Sequence, residues 1–333
     1  MGAQNLERVF GMFDQATVMI RNDRDISYMD AMIEALESFA DMQIDSEGLS
    51  SKTVNGLTEI LNEADIESIG TDTIRQALQM ISLKAIKEDK IQPNFQITPN
   101  TIGDVVAYIA AGLLEGNSSI SMLDPALGSA NLLTTVAAQL KKSLGVSADL
   151  YGIENDDTMF ELAGVSLDLQ KVAAQLYHAD AVVDVMVPPV DLIVSDLPVG
   201  YYPIDDNVKN FETKAKEGHS FVHHLYLEMS ANHLKDGGFG IFVVPSSIFQ
   251  TTEAKSLLKW MSGRVYLQGI LNLPKELFAS ESAQKSILIM QKTGANAKQA
   301  EPVMLGEFPS FKDGKAVQKF LTEIDEWRKN NLK

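Results

Sequence analysis

Two short segments of the chain carry small and polar residues in an order that suits ligand binding and group transfer. The first, Asp124 to Leu132, reads DPALGSANL, and the second, Val194 to Tyr202, reads VSDLPVGYY. Each segment ends an apolar run of the kind that forms a buried strand. The first suits a nucleoside cofactor, and the second can place a polar acceptor and aromatic rings beside a planar amino group. Together the two segments predict methyl transfer.

The first segment fits a turn where the backbone can approach a nucleoside closely, because its residues are small and a predicted helix follows with free amide groups. Ligands of a parallel sheet bind beyond the carboxyl ends of its strands, where this turn would lie. The candidate cofactor contacts in the turn are Asp124, Pro125, Ala126, Gly128, Ser129 and Asn131. The alternative interpretation of Asp124 and Pro125 is an ordinary turn between a strand and a helix.

Carboxylates also follow the next two apolar runs, where a nucleoside site would need them. Glu154 can accept hydrogen bonds from both ribose hydroxyls, and Asp180 with its neighbouring backbone can bind an adenine amino group. Asn155 and Ala181 come directly after these two acids. Taken separately, Glu154 would be a solvated strand end and Asp180 a helix cap. Three such features in consecutive turns favour the nucleoside site.

Composition sets limits on the class of protein. The chain has 333 residues, which predicts a main domain with an appendage. It has no cysteine, which excludes disulfides, thiolate metal sites and a cysteine nucleophile. A formal charge of -17 argues against a broad polyanion-binding surface and leaves room only for a local basic groove. With no secretory signal and no apolar run of membrane-spanning length, we expect a cytoplasmic protein without a membrane partner.

The elements that would position these segments form two predicted domains, residues 1–93 and 94–333. The first has helical apolar spacing throughout, which predicts four helices and no strand. Its expected role is dimerisation, giving a homodimer, or a lid. Pro93 and Pro99 bracket an extended link over residues 94–98, which marks the boundary.

Short apolar runs alternate with helical patterns in the second domain, which predicts a doubly wound, mostly parallel sheet. The six runs are 120–123, 150–153, 175–177, 190–194, 240–244 and 266–271. Two later runs, 286–290 and 303–305, have no long helical pattern between them and would form an antiparallel edge. A final helix is expected around Phe320 and Trp327.

The chain resembles the class I amino-methyltransferases that use S-adenosylmethionine, and most closely the adenine-specific N6 DNA methyltransferases. The resemblance covers about residues 94–293 and suggests a stand-alone, YtxK-like branch without a target-recognition domain. Thr98-Pro99 matches the family's N-terminal cofactor motif. The first segment matches its Asp-Pro-Ala-Cys-Gly-Ser-Gly turn. Asp196 to Val199 occupies the position of its Asn/Asp-Pro-Pro-Tyr/Phe motif.

The resemblance implies a Rossmann-like sheet of seven strands, S-adenosylmethionine as cofactor and DNA as the substrate. It adds Thr98 and Asp196 to the cofactor contacts. The implied catalytic residues are Asp196, Leu197 and Pro198, and the implied substrate contacts are Val199, Tyr201 and Tyr202. Asp196 would accept one hydrogen of the target amine and the carbonyl of Leu197 the other. An exocyclic amine needs such acceptors because its lone pair is delocalised into the ring.

The chain departs from the family pattern at four positions. Leu197 stands where the family has its first proline, and Val199 where it has the aromatic residue that stacks on the flipped base. Leu127 and Ala130 replace the cysteine and second glycine of the cofactor turn. Tyr201 or Tyr202 can take over the stacking if the turn at Gly200 brings one into the pocket.

The sequence also admits two other interpretations of the function. One changes the target to RNA or a protein side-chain amide, and another makes the protein a non-catalytic cofactor-binding or interaction protein. His219 and His223 have metal-ligand spacing, but no carboxylate or cysteine completes a site, so no metal is predicted. The bland interpretation of Val194 to Pro203 is a surface loop in which two tyrosines pack.

Overall fold

The computed structural model describes residues 2–91, 97–183 and 185–332. Its N-terminal part has the four expected helices, namely α1 (Gly2–Arg24), α2 (Tyr28–Asp41), α3 (Ser51–Ala64) and α4 (Thr71–Glu88). The hydroxyls of Ser27 and Ser50 accept hydrogen bonds from first-turn amides of α2 and α3, which caps both helices. Residues 92–96, which include the expected boundary and most of the link, lie outside the described part.

The rest of the chain forms one sheet covered by helices on both faces. Its strands are β1 (Ile120–Asp124), β2 (Ala148–Glu154), β3 (Gln175–His178), β4 (Val190–Asp196), β5 (Leu234–Pro245), β6 (Val265–Asn272), β7 (Lys285–Lys292) and β8 (Met304–Glu307). The helices are α5 (Asn100–Leu113), α6 (Asn131–Leu144), α7 (Asp157–Gln170), α8 (Val222–His233), α9 (Ala254–Arg264) and α10 (Gly314–Asn331). No helix of the described residues is long and apolar enough to cross a membrane.

The strand order β3-β2-β1-β4-β5-β7-β6-β8 confirms the doubly wound, mostly parallel sheet, with eight strands where seven were expected. The prediction of an antiparallel edge is wrong. β7 lies inside the sheet and runs antiparallel to β5 and β6, and β8 pairs parallel with β6 at the edge. The link from β6 to β7 has only two short 3-10 turns. Without a crossover helix, the chain returns in the opposite direction.

Alternate residues of the central strands enter cores on opposite faces of the sheet. In β4, Leu192 packs into the core under α5, α6 and α10, whereas Ile193 packs into the core under α8 and α9. Such burial on both faces explains why the strands read as continuous apolar runs. Because β1 to β5 run parallel, their carboxyl ends lie along one edge of the sheet, where the loops carry the polar residues.

The N-terminal helices share their core with α7 of the sheet part. Met159, Leu162, Val165 and Leu169 of α7 are buried in the same apolar cluster as the inner faces of α1 to α4. Because α7 follows the turn that contains Glu154, the helical part braces one of the loops at the carboxyl edge.

Candidate functional site

The turn after β1 approaches the space beyond the sheet through an unusual backbone. Gly128 and Ala130 have φ angles of +54° and +62°, in the left-handed region. For a residue with a side chain this conformation costs roughly 1–2 kcal/mol, which explains why the family uses a glycine where this chain has Ala130. The Ala130 side chain is buried in the core under α6, and its burial offsets part of this cost.

Asp124 lies beneath this turn and shapes it. Its Oδ1 accepts hydrogen bonds from the Ser195 hydroxyl at 2.8 Å and from the Ala126 amide at 3.1 Å, so it joins β1 to β4. The residue is 1% exposed. Burial raises the pKa of Asp124 to about 7 because the ionised carboxylate loses its hydration.

Glu154 holds the first two loops of the edge together. Its Oε2 accepts from the Gly128 amide at 2.8 Å, and its Oε1 accepts from the amides of Asn155 at 2.9 Å and Asp156 at 3.0 Å. The three amides use three of the four carboxylate lone pairs, so Oε2 retains one lone pair for a ligand hydroxyl. Asn155 itself is exposed beside it.

Asp180 is joined to the loop after β4 through a tyrosine. Its Oδ1 accepts from the Val182 amide at 2.9 Å, and its Oδ2 accepts from the Tyr202 hydroxyl at 2.6 Å. Burial raises the pKa of Tyr202 to about 12. The structure therefore places Tyr202 against a predicted cofactor contact, whereas Val199 and Tyr201 stay 50% and 64% exposed.

Asp196, at the end of β4, has a partner on each carboxylate oxygen. Its Oδ2 accepts from the Thr98 hydroxyl at 3.2 Å, and its Oδ1 forms an ion pair with Lys285 Nζ at 2.6 Å. The Thr98 carbonyl oxygen accepts from the side chain of Asn131 at 2.7 Å, so both predicted motifs meet at Thr98. Lys285 was missed from the sequence because it lies 89 residues from Asp196 and belongs to no local motif.

The carbonyl of Leu197 is free because of a proline on the next strand. The Leu197 amide donates to the Val243 carbonyl at 3.0 Å, which continues the β4–β5 ladder. In a parallel ladder the Leu197 carbonyl would then accept from residue 245, which is proline and has no N–H. Within the described ranges no other donor bonds this oxygen. A buried carbonyl without a donor is rare and marks a possible ligand contact.

The loop that follows Leu197 carries an aromatic surface. Tyr201 stacks on Phe221 with ring centroids 4.9 Å apart, and a backbone bridge pairs the two residues. Ile204 is exposed close by in sequence. Phe221 was not predicted, since only its pairing with the loop after β4 brings it to the site.

The two histidines with metal-ligand spacing are in different environments. His219 forms an exposed pair with Asp205 at 3.0 Å. His223 is 3% exposed, and burial lowers its pKa to about 3. His223 packs beside Phe221 and contributes to the wall behind the aromatic surface.

Tyr226 of α8 is another residue that the sequence did not reveal. It is buried, and burial together with the nearby carboxylates of Asp180 and Glu154 raises its pKa. Tyr226 is therefore within electrostatic reach of both acids. The polar groups at this edge fit S-adenosylmethionine. Carboxylates with a spare lone pair end β2 at Glu154 and follow β3 at Asp180, and a turn of small residues follows β1.

Comparisons with known proteins identify the family. The profile of the N-6 DNA methylase family matches residues 80–325, and that of the YtxK N-terminal helical domain matches residues 7–86. The uncharacterized protein YtxK of Bacillus subtilis is 36% identical over 99% of both chains.

Two further relatives connect the chain to methyltransferases. A crystal structure from Listeria monocytogenes, described as a class I S-adenosylmethionine-dependent methyltransferase, is 36% identical with a TM-score of 0.91, covering 97% of this chain and 99% of that one. The type I restriction enzyme MjaVII methylase subunit of Methanocaldococcus jannaschii is 23% identical over 79% of this chain and 47% of its own length. These findings confirm the resemblance and the cofactor that it implied. The chain belongs to the N-6 DNA methylase family and is a class I methyltransferase whose cofactor is S-adenosylmethionine.

Proposed function

We propose that the protein transfers a methyl group to the N6 amino group of adenine, with DNA as substrate. The observation that carries the proposal is the pair of acceptors at the end of β4, the Asp196 carboxylate and the unpaired Leu197 carbonyl. The family to which the chain belongs, and the methylase subunit that it resembles, support adenine in DNA.

The chemistry requires acceptors more than it requires a base. S-adenosylmethionine supplies a methyl group activated by a positive sulfur. Asp196 and the Leu197 carbonyl each accept one hydrogen of the amine, which favours a tetrahedral nitrogen. The acidity of the nitrogen rises as its bond to the methyl carbon forms, so a proton can leave to water afterwards. Pro198 has a fixed φ angle and restrains the turn that directs the Leu197 carbonyl.

The proposed cofactor contacts are those inferred from the sequence, and different residues would hold different parts of the cofactor. Glu154, Asn155 and the amides of the turn after β1 would hold the ribose and amino acid parts. Asp180 and Ala181 would hold the adenine ring above Tyr226. Thr98 would fix Asp196 at the boundary between cofactor and substrate.

The substrate side would use the Tyr201–Phe221 pair as its stacking surface in place of the aromatic residue missing at Val199. Stacking of a base on an aromatic side chain contributes roughly 1–3 kcal/mol. Leu197 is buried, so the amine reaches its carbonyl only when neighbouring residues give way. A base in duplex DNA must leave the helix to enter such a site.

One observation favours a second candidate, a planar amide of a protein side chain or an RNA base. The loop beside the acceptors carries exposed Asp205, Asp206 and Glu217 together with Lys209, Lys214 and Lys216, so it gains no net positive charge in a chain whose formal charge is -17. A surface without net positive charge attracts phosphates weakly.

We also propose that residues 1–93 form a distinct helical domain that braces the cofactor loops through α7, because the two share one apolar core. Dimerisation through its outer faces, or a lid role, is a further proposal for the same domain.

A labelled-methyl assay that offers unmethylated DNA, RNA and protein extract tests the function. We expect label in adenine of DNA and none in the same reaction with Asp196→Ala. Label in protein or RNA alone would move the proposal to the second candidate. Wild-type protein that binds neither S-adenosylmethionine nor S-adenosylhomocysteine in a calorimeter would refute it.

A further inference from the structure

Lys285 is held by the sheet in a position where its side chain reaches Asp196. It is the first residue of β7 and pairs with Pro245 of β5 in the antiparallel ladder. Its carbonyl oxygen accepts from the Leu273 amide at 3.0 Å, which fixes its backbone on the other side. Both Lys285 and Asp196 have side chains only 12% exposed, so solvent screens the ion pair weakly.

The charge of Lys285 is directed to one carboxylate of the site. The other three acids are bonded by neutral donors: Asp124 by Ser195, Glu154 by backbone amides, and Asp180 by Tyr202. No lysine or arginine of the described ranges forms an ion pair with these three. The cation therefore neutralises the acceptor side and leaves the cofactor side negative.

Neutralising Asp196 does not prevent it from accepting an amine hydrogen. Oδ1 has two lone pairs, and Lys285 uses one of them. A neutral planar amine can donate to the other without repulsion. A cationic alkylammonium group, such as a lysine side chain or a polyamine, would come within a few ångströms of the Lys285 ammonium and be repelled.

We propose that Lys285 is a specificity-determining residue, which makes the acceptor site select a neutral planar amine over a cationic alkylammonium group. This inference rests on the proposed function, since it takes Asp196 as the acceptor of the amine hydrogens. The ion pair also explains how Asp196 can be selective, because without Lys285 its carboxylate would attract any ammonium group.

Sinefungin provides a direct probe, because it is a cofactor analogue with an amine-bearing carbon in place of the sulfur and its methyl group. The measured quantity is its affinity relative to S-adenosylhomocysteine, determined by calorimetry. We expect Lys285→Met to raise this ratio about tenfold, because Asp196 then becomes free to form one charge-assisted hydrogen bond with the amine of sinefungin. We expect Asp196→Asn to lower the ratio, and the double variant to return close to wild type.

Lys292→Met is the matched control, because Lys292 lies at the other end of β7 and bonds the Leu234 carbonyl. Its affinity ratio should equal that of the wild type. Binding of S-adenosylhomocysteine shows that each variant is folded, and Lys285→Gln replaces Lys285→Met if that variant does not bind. An unchanged ratio in the Lys285 variant, with wild-type protein binding S-adenosylmethionine, would overturn the inference and leave the proposed function intact. Loss of all cofactor binding in wild type would instead refute the proposed function.

Discussion

The cofactor side and the acceptor side of the site are held together by different forces. On the cofactor side, Glu154 and Asp180 accept from backbone amides and a tyrosine, so the loops after β1, β2 and β3 are tied by neutral donors. On the acceptor side, Asp196 is bound by an ammonium group, and the loop after β4 carries the Tyr201–Phe221 aromatic pair. The cofactor side is thus preorganised, whereas the acceptor side retains groups that only a substrate would satisfy.

This difference predicts that changes on the two sides separate binding from turnover. Loss of a cofactor-side group should weaken cofactor affinity because the loops depend on it. Loss of an acceptor-side group should leave that affinity largely unchanged and reduce methyl transfer.

The largest effect is expected for Asp196→Ala, which removes the proposed acceptor of the amine hydrogens. We expect methyl transfer to unmethylated DNA to fall about a thousandfold, the scale found when a polar group that stabilises a transition state is removed. Cofactor affinity should change little, because hydrogen bonds of Glu154 and Asp180 hold the loops on the cofactor side. Asp206→Ala, on the exposed loop beyond the aromatic surface, is the control and should retain full activity. Equal losses of affinity and turnover in Asp196→Ala would contradict the division.

Glu154→Ala tests the cofactor side. It removes three charge-assisted hydrogen bonds from backbone amides and the one remaining lone pair proposed to accept from the ribose. We expect the dissociation constant for S-adenosylmethionine to rise about fiftyfold, within the range for hydrogen bonds to charged groups. Asp149→Ala, at the opposite end of the same strand, should have no effect. Turnover at saturating cofactor should stay close to wild type, and a large fall there would show that Glu154 also acts on the methyl acceptor.

The pH dependence of stability tests the burial of Asp124. Because burial raises its pKa to about 7, the folded protein keeps a proton that the unfolded chain releases above about pH 4. Stability from this group is therefore present at low pH and is lost as pH rises towards and through 7. Between pH 5.5 and pH 8 we expect wild type to lose about 2 kcal/mol of unfolding free energy relative to Asp124→Asn. Urea denaturation at both pH values measures this difference. An equal change of unfolding free energy in wild type and Asp124→Asn would show that Asp124 stays ionised in the folded protein.

The sequence predicts most of the fold and the cofactor side because both depend on local order. Apolar runs mark the strands, and the loops at their carboxyl ends must share one edge, so Asp124, Glu154 and Asp180 could be placed together. The position of β7 could not be predicted, since strand pairing depends on contacts between distant residues. For the same reason Lys285 and Phe221 were missed. Tyr202 was assigned to the substrate, but its hydrogen bond to Asp180 places it beside the cofactor loops.

Pro245→Ala gives the smallest effect and the sharpest test of the acceptor side, because it adds one hydrogen-bond donor and little else. The new amide would lie where the β4–β5 ladder reaches the Leu197 carbonyl, and it would take one of the two lone pairs that are proposed to receive the substrate amine. We expect turnover to fall about fivefold, because the amine must compete for this oxygen with one net hydrogen bond of about 1 kcal/mol. Cofactor affinity should be unchanged, and the amide of residue 245 should be protected from hydrogen exchange. Pro188→Ala, in the exposed segment before β4, is the matched control. A protected amide with undiminished turnover would show that the lone pair of the Leu197 carbonyl that faces residue 245 takes no part in holding the amine.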